Sequence, residues 1–210
     1  MYSERDQAAA PERDAVIPHL TDRLGGRPIV LVGMMGCGKS SIGRRLATCL
    51  GVEFVDADQE IEKAAGQSIK DIFATYGEAE FRAGERRVIQ RLIGEHRGII
   101  ATGGGAFVDR ETRSEIARDA VSVWLRVAPE ILYHRVSRRN TRPLLQTADP
   151  EGTLRALLAE REPIYALADL TIDSDDGPHD AVVDAILAAV SDYLVAGRPV
   201  SDGSGTQSPC

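Results

Sequence analysis

Lys39 and Ser40 follow glycines at Gly33, Gly36 and Gly38, and the stretch from Gly33 to Ser40 fits G-x-x-x-x-G-K-[ST] without a mismatch. Its chemistry is the binding of a nucleoside triphosphate. The glycines let successive backbone N–H groups turn inward onto phosphate oxygens, and the following helix presents its N-terminus to the anion. Lys39 reaches the terminal phosphates, and the Ser40 hydroxyl is placed to bind Mg²⁺. Gly36, Cys37, Gly38, Lys39, Ser40 and Ser41 are the candidate contacts to ATP. The plain alternative is a glycine-rich turn with a lysine on a solvated helix end. Cys37 reads either as a reactive thiol or, more simply, as a small packed side chain.

A second group is Phe54-Val-Asp56-Ala-Asp58. On a strand, side chains two apart share a face, so both carboxylates would point the same way. Asp56 can then reach the magnesium region and Asp58 a substrate hydroxyl. A kinase acting on an alcohol needs such a carboxylate to orient the attacking oxygen and take its proton. The competing reading makes Asp58 the cap of a helix starting at Gln59.

Three further signals involve anions or close approach. Arg82 and Glu85 are spaced to share a helical face, either as a weak surface pair or as a substrate-facing arginine held by a carboxylate. The planar fork of an arginine suits a carboxylate ligand. Gly103, Gly104 and Gly105 follow an apolar run and allow very close backbone approach, more than a plain turn requires. The basic segment from His134 to Leu145 holds Arg135, Arg138, Arg139 and Arg142. Its loop could close over ATP and bring Arg142 onto the moving phosphoryl group, although a solvated helix end also explains Arg138 and Arg139. Pro163 lies inside a helical pattern and should kink or end it there, which could aim Arg161 at the pocket.

These residues need elements to hold them. Five apolar runs read as strands: 29–32, 52–55, 98–101, 121–127 and 170–172. They are nearly continuous in Val, Ile and Leu, the mark of parallel strands buried on both faces. Helical spacing separates them at Ile42, Leu46, Cys49 and Leu50, at Phe81, Val88, Ile89, Leu92 and Ile93, and at Leu154, Leu157 and Leu158. A closing helix is expected from Ala181 to Leu194. Alternating strands and helices predict an α/β fold with a parallel sheet, whose ligands sit outside the carboxyl ends of the strands. The signals above follow strands or lie on the next helix, so they can converge there.

The chain has 210 residues, enough for one domain with a sizeable core, and its net charge of −7 argues against nucleic acid or an acidic membrane as main partner. No apolar run approaches the ~20 residues that cross a bilayer. Cys37, Cys49 and Cys210 suggest neither a disulfide framework nor a zinc site and fit a reducing cytosol, so a cytoplasmic location is expected. Residues 1–27 read as a poorly ordered extension, 28–195 as the domain, and 196–210 as a disordered tail.

An ATP·Mg site, a carboxylate suited to an alcohol and arginines suited to an anion describe a kinase for a hydroxylated carboxylic acid. The residues carry this no further, but the sequence resembles the shikimate kinase family. GMMGCGKS, FVDAD with IEKAAGQSIKDIF, GEAEFRAGE, ATGGGA, RNTRPLL and REPIY occur in that family's order over roughly residues 28–194. The phosphate loop is common to many kinases, whereas the combination of D-x-D, F-R, G-G-G and R-P-L-L is far more specific.

The resemblance implies a three-layer α/β/α sandwich of the nucleoside-monophosphate-kinase type, with five parallel strands in order 2-3-1-4-5. It implies transfer of the γ-phosphate of ATP to the 3-hydroxyl of shikimate, in the biosynthesis of chorismate and the aromatic amino acids. By position, Asp58 resembles the residue that binds the shikimate hydroxyls and acts as base. Asp56 matches the position near Mg²⁺ beside Ser40. Arg82 and Arg161 match the pair that holds the shikimate carboxylate, and Gly103, Gly104 and Gly105 the triplet lining the pocket. Arg142 matches the arginine of a lid spanning about 136–150, and Arg135 the arginine that packs on adenine. Small kinases of this type are often monomeric, and a monomer is expected. Two rivals share the loop: a kinase for another sugar acid such as gluconate, and a nucleotide-binding module without chemistry.

Overall fold

The computed structural model describes residues 17, 19–137 and 149–197. Residues 19–24 are helical (α1) and lead into β1 (Ile29–Val32). The order continues α2 (Lys39–Leu50), β2 (Phe54–Asp56), α3 (Ala57–Ala65), α4 (Ile69–Glu95), β3 (Ile99–Ala101), a 3-10 turn (Ala106–Val108) and α5 (Arg110–Asp119). It closes with β4 (Val121–Arg126), α6 (Pro129–Ser137), α7 (Pro150–Tyr165), β5 (Leu170–Asp173) and α8 (His179–Ala196).

The five strands form one parallel sheet in the order β2-β3-β1-β4-β5. Every residue of β1 and β3 is buried, as is β4 up to Arg126. This is why those runs are apolar without alternation: helices cover both faces. The edge strands β2 and β5 are only partly covered. On one side α2 packs on β1, β2 and β3 and against α8, which covers β5. Elsewhere α4 packs on α5, and α5 on β4. The close seat of α2 depends on Gly43, where a Cβ would come within 2.5 Å of the Phe54 ring.

Three sequence expectations change. The second strand begins and ends later than expected, because Asp56 still pairs with Ala101 in the ladder. The segment 19–24, read as part of a poorly ordered leader, is helical and buries Leu20 (1% exposed) and Leu24 in the main core. Burying a leucine fully is worth on the order of 1.5–3 kcal/mol, enough to hold a short helix on the domain. Helix α7 runs through Pro163 to Tyr165 and closes on Glu162 O through Ala166 N, so the proline sits in the last turn rather than breaking the helix.

Helix α4 is interrupted at Gly77, whose φ of 80° and ψ of 177° are not helical. A left-handed φ is inexpensive only for glycine, so Gly77 redirects the chain between two helical segments. Both segments pack with α3 around a small apolar cluster, Ile72 from the first and Phe81 from the second meeting Ile61, separate from the main core. The expected lid, 136–150, lies almost wholly outside the described residues, as do Arg138, Arg139, Arg142, the first sixteen residues and the tail from 198. No helix among the described residues is long and apolar enough to cross a membrane.

Candidate active site

The phosphate loop joins β1 to α2. Gly33, Gly36 and Gly38 all have left-handed φ, at 132°, 83° and 97°. Gly38 caps α2 without a side chain, and its carbonyl accepts from Ile42 N at 2.9 Å. Lys39 is 8% exposed, and its Nζ donates to Gly33 O at 2.7 Å and Met34 O at 3.0 Å. The ammonium is thus held against the loop that carries it. Cys37 is fully buried, with its Sγ 3.6 Å from Lys39 Nζ, a packed side chain beneath the loop.

Ser40 Oγ donates to Asp56 Oδ2 at 2.6 Å. Asp56 ends β2 and caps α3, its other oxygen accepting from Asp58 N at 3.2 Å. Asp58 therefore belongs to the first turn of α3, not to a strand. Strand alternation is not what puts the two carboxylates together. The cap does so by starting the helix at once, and both side chains still line one cavity.

That cavity, about 150 Å³, is lined by Gly36, Gly38, Lys39, Ser40, Ser41, Asp56, Asp58 and Gly104, with Met35 and Thr102. It lies at the carboxyl ends of β1, β2 and β3, where a parallel sheet places its ligands. A hydroxyl beside a carboxylate is an oxygen donor set suited to Mg²⁺, which favours one or two carboxylates together with phosphate oxygens.

The glycine triplet follows β3. A Cβ on Gly103 would stand 2.7 Å from Asp58 Oδ1 and 3.0 Å from Glu85 Oε1. One on Gly105 would stand 2.6–2.9 Å from the Arg82 guanidinium. The triplet is therefore the floor on which both functional side chains rest. Arg82 Nη1 donates to Glu85 Oε2 at 2.6 Å, and Nη2 to Glu78 Oε1 at 3.2 Å. Glu85 is 2% exposed. Burial pushes its carboxyl above the usual range and the charges of Asp58 and Asp109 add to this, while Arg82 opposes it. Burial also works against the Arg82 charge, but Glu85 and Glu78 outweigh it and hold the guanidinium above its ordinary value.

Arg161 reaches the same place from α7, with Nη1 3.4 Å from Gly104 O. Its Nε is buried with no hydrogen-bond partner among the described residues. A buried, unsatisfied guanidinium N–H is costly, and an anionic ligand would satisfy it. Tyr165, fully buried, donates its hydroxyl to Gly104 O, and burial pushes its pKa up to about 12. Arg135 lies further out. Its Nη2 donates to Asp175 O at 2.6 Å and to Asp176 Oδ1 at 3.0 Å, tying α6 to the β5–α8 loop. The next residue, Val136, packs against the loop, since a Cβ on Gly36 would come within 2.7 Å of it.

The structure thus brings together the phosphate loop, Asp56, Asp58, Arg82, the triplet and Arg161. Tyr165 and Thr102 were not singled out in the sequence. Tyr165 stands one helical turn after Arg161, and that spacing was the available signal.

The fold and the site define a P-loop phosphotransferase with Arg82 and Arg161 gathered at the glycine triplet beside the phosphate loop. The family model for shikimate kinase matches residues 35–191. A shikimate kinase from Rhodopseudomonas palustris is 51% identical over 94% of this chain and 97% of its own length. One from Bradyrhizobium diazoefficiens is 53% identical over 92% and 93%. The chain belongs to the shikimate kinase family. Among solved structures, a shikimate kinase from Acinetobacter baumannii in complex with shikimate aligns with a TM-score of 0.74 at 37% identity, covering 83% of this chain and 95% of that one. A gluconokinase from Sinorhizobium meliloti, at 18% identity and a TM-score of 0.56, shares the fold alone.

Proposed function

We propose that the protein transfers the γ-phosphoryl group of ATP to the 3-hydroxyl of shikimate, giving shikimate 3-phosphate and ADP. The observation that carries this reading is the convergence on one glycine floor of Asp58, Arg82 and Arg161, beside the phosphate loop.

The carboxylate of the acceptor docks on Arg82 and Arg161, and the buried Nε of Arg161 gains the partner it lacks. Glu85 keeps the Arg82 fork in register. Docking by the carboxylate turns the 3-hydroxyl toward Asp58, which orients it and takes its proton as the new O–P bond forms. The bond from the γ-phosphorus to the bridging oxygen breaks, and its electrons leave with ADP. Lys39 and the loop N–H groups hold the phosphates in line. Ser40 and Asp56 would hold Mg²⁺, which when bound neutralises charge on the phosphate oxygens. By resemblance, Arg135 packs on adenine, and Arg142, outside the described residues, enters with the lid. The same reading makes the protein a monomeric cytoplasmic enzyme that needs neither nucleic acid nor membrane.

The test is ADP release from Mg·ATP with shikimate, quinate or gluconate as acceptor. A large rise with shikimate alone is expected. A rise with gluconate instead, or ATP binding without acceptor-dependent release, would overturn the reading.

A further inference from the structure

Behind the acceptor pocket, α3 and α4 enclose a second cleft of about 640 Å³. Its volume falls in the range of small-molecule sites. The catalytic reading leaves it unused. Its floor is the separate apolar cluster of Ile61, Ile72 and Phe81, with Val88 beside it. Its open space comes from small residues. Ala64 and Ala65 line it, and a Cβ built on Gly84 would meet nothing within 4 Å.

Its rim is charged unevenly. Arg87 is exposed and has no ion-pair or hydrogen-bond partner among the described residues. Arg91, one turn on, is already shared by Glu60 at 3.1 Å and Glu95 at 4.0 Å. Glu80 also lines the cleft, but it stands two turns of α4 before Arg87, roughly 10 Å along the axis. The rim near Arg87 therefore offers an unneutralised guanidinium above an apolar floor. Tyr76, 56% exposed, adds an aromatic wall.

We propose that this cleft is a binding site for a small aromatic anion, whose ring lies over Gly84 against the apolar floor and whose carboxylate or sulfonate pairs with Arg87. An apolar body excludes water from the ring, and the guanidinium fixes the charged end. The site uses a different face of α4 from the one that carries Arg82 and Glu85. Its walls nevertheless adjoin the acceptor machinery, since Ile61 is one turn from Asp58, and Phe81 and Gly84 directly precede Arg82 and Glu85. Occupancy therefore bears on the spacing of α3 and α4, and so on acceptor affinity, and the coupling is reciprocal. The binding site itself does not depend on which acceptor the enzyme phosphorylates.

The experiment is a fluorescence titration of the full chain with anilinonaphthalene sulfonate, in saturating Mg·ADP and shikimate so that the catalytic site is filled. A single saturable binding event is expected. Gly84→Leu fills the cleft and should abolish it, with ADP release at saturating shikimate retained. Arg87→Glu is a surface change that leaves the fold intact and should weaken binding by about tenfold or more, as for a lost charge-assisted contact. No saturable signal in the wild type, or the same curve in both variants, overturns the proposal. If Gly84→Leu does not fold, an unchanged curve for Arg87→Glu is enough to overturn it.

Discussion

Ser40 Oγ lies 2.6 Å from Asp56 Oδ2, which links the first turn of the phosphate-loop helix to the end of the neighbouring strand. Asp56 has a second task, because its other oxygen caps α3. The two tasks separate by substitution. Asp56→Asn keeps a good helix cap and loses the charge, so the melting temperature should hold while the Mg²⁺ concentration for half-maximal activity rises at least about tenfold. Asp56→Ala should lose metal affinity and also about 1 kcal/mol of stability. Ser40→Ala should behave like Asp56→Asn. An unchanged Mg²⁺ requirement in both Ser40→Ala and Asp56→Asn would remove these residues from the metal site.

Glu85 gives a pH test. Its carboxyl is raised above the usual range, chiefly by burial. A raised acid binds its proton more tightly in the folded state. Its contribution to stability is therefore fully present below the unfolded value of 4.5 and is lost as pH rises through the folded value. Glu85→Gln removes this titration. Denaturant melts should show wild type gaining on Glu85→Gln as the pH falls through the raised folded value toward 4.5, and a flat difference would contradict the assignment. Loss of the charge also loosens Arg82, so the acceptor KM should rise about tenfold with kcat less affected.

Much of this was legible in the sequence. The strands β1, β3 and β4 are buried on both faces, so their apolar runs could not be mistaken for amphipathic ones. The phosphate loop, the triplet and Arg82 beside Glu85 also stand where their spacing implied. The position of Asp58 was misread, because β2 is three residues long and passes directly into α3. Alternation has no length over which to act there. The helix at 19–24 was missed because its two buried leucines sit among charged residues. Tyr165 shares the helical face of Arg161, but its bond is to a carbonyl 61 residues away, and that partner is not encoded in the local pattern.

Tyr165 fixes the carbonyl of Gly104 from below while Arg161 touches the same oxygen from the side. Tyr165→Phe leaves Arg161 as that oxygen's only side-chain donor among the described residues and draws it from the acceptor. The acceptor KM should rise several-fold and stability should fall by about 1 kcal/mol. The pKa near 12 sets an alkaline signature. The folded state resists ionisation of this phenol, so its stabilisation is intact below 10.0 and is lost as pH rises from there toward 12. The stability difference between wild type and Tyr165→Phe should shrink over that window and stay constant below it.

The triplet separates docking from chemistry. Gly105→Ala places a methyl group 2.6 Å from Arg82 Nη2, and a flexible guanidinium can yield by moving. The cost is then paid in docking, so the acceptor KM should rise roughly tenfold while kcat for bound acceptor changes little. Gly103→Ala places its methyl 2.7 Å from Asp58 Oδ1 and 3.0 Å from Glu85 Oε1. Asp58 sits on the first turn of a capped helix and has less room to retreat. Its carboxylate should swing off the line of attack. A misplacement of about 1 Å can cost on the order of a hundredfold in rate, so kcat should fall far more than KM changes. Steady-state kinetics with shikimate varied at saturating Mg·ATP would read both. If the two variants show the same split between KM and kcat, Asp58 and Arg82 do not have the separate roles assigned to them.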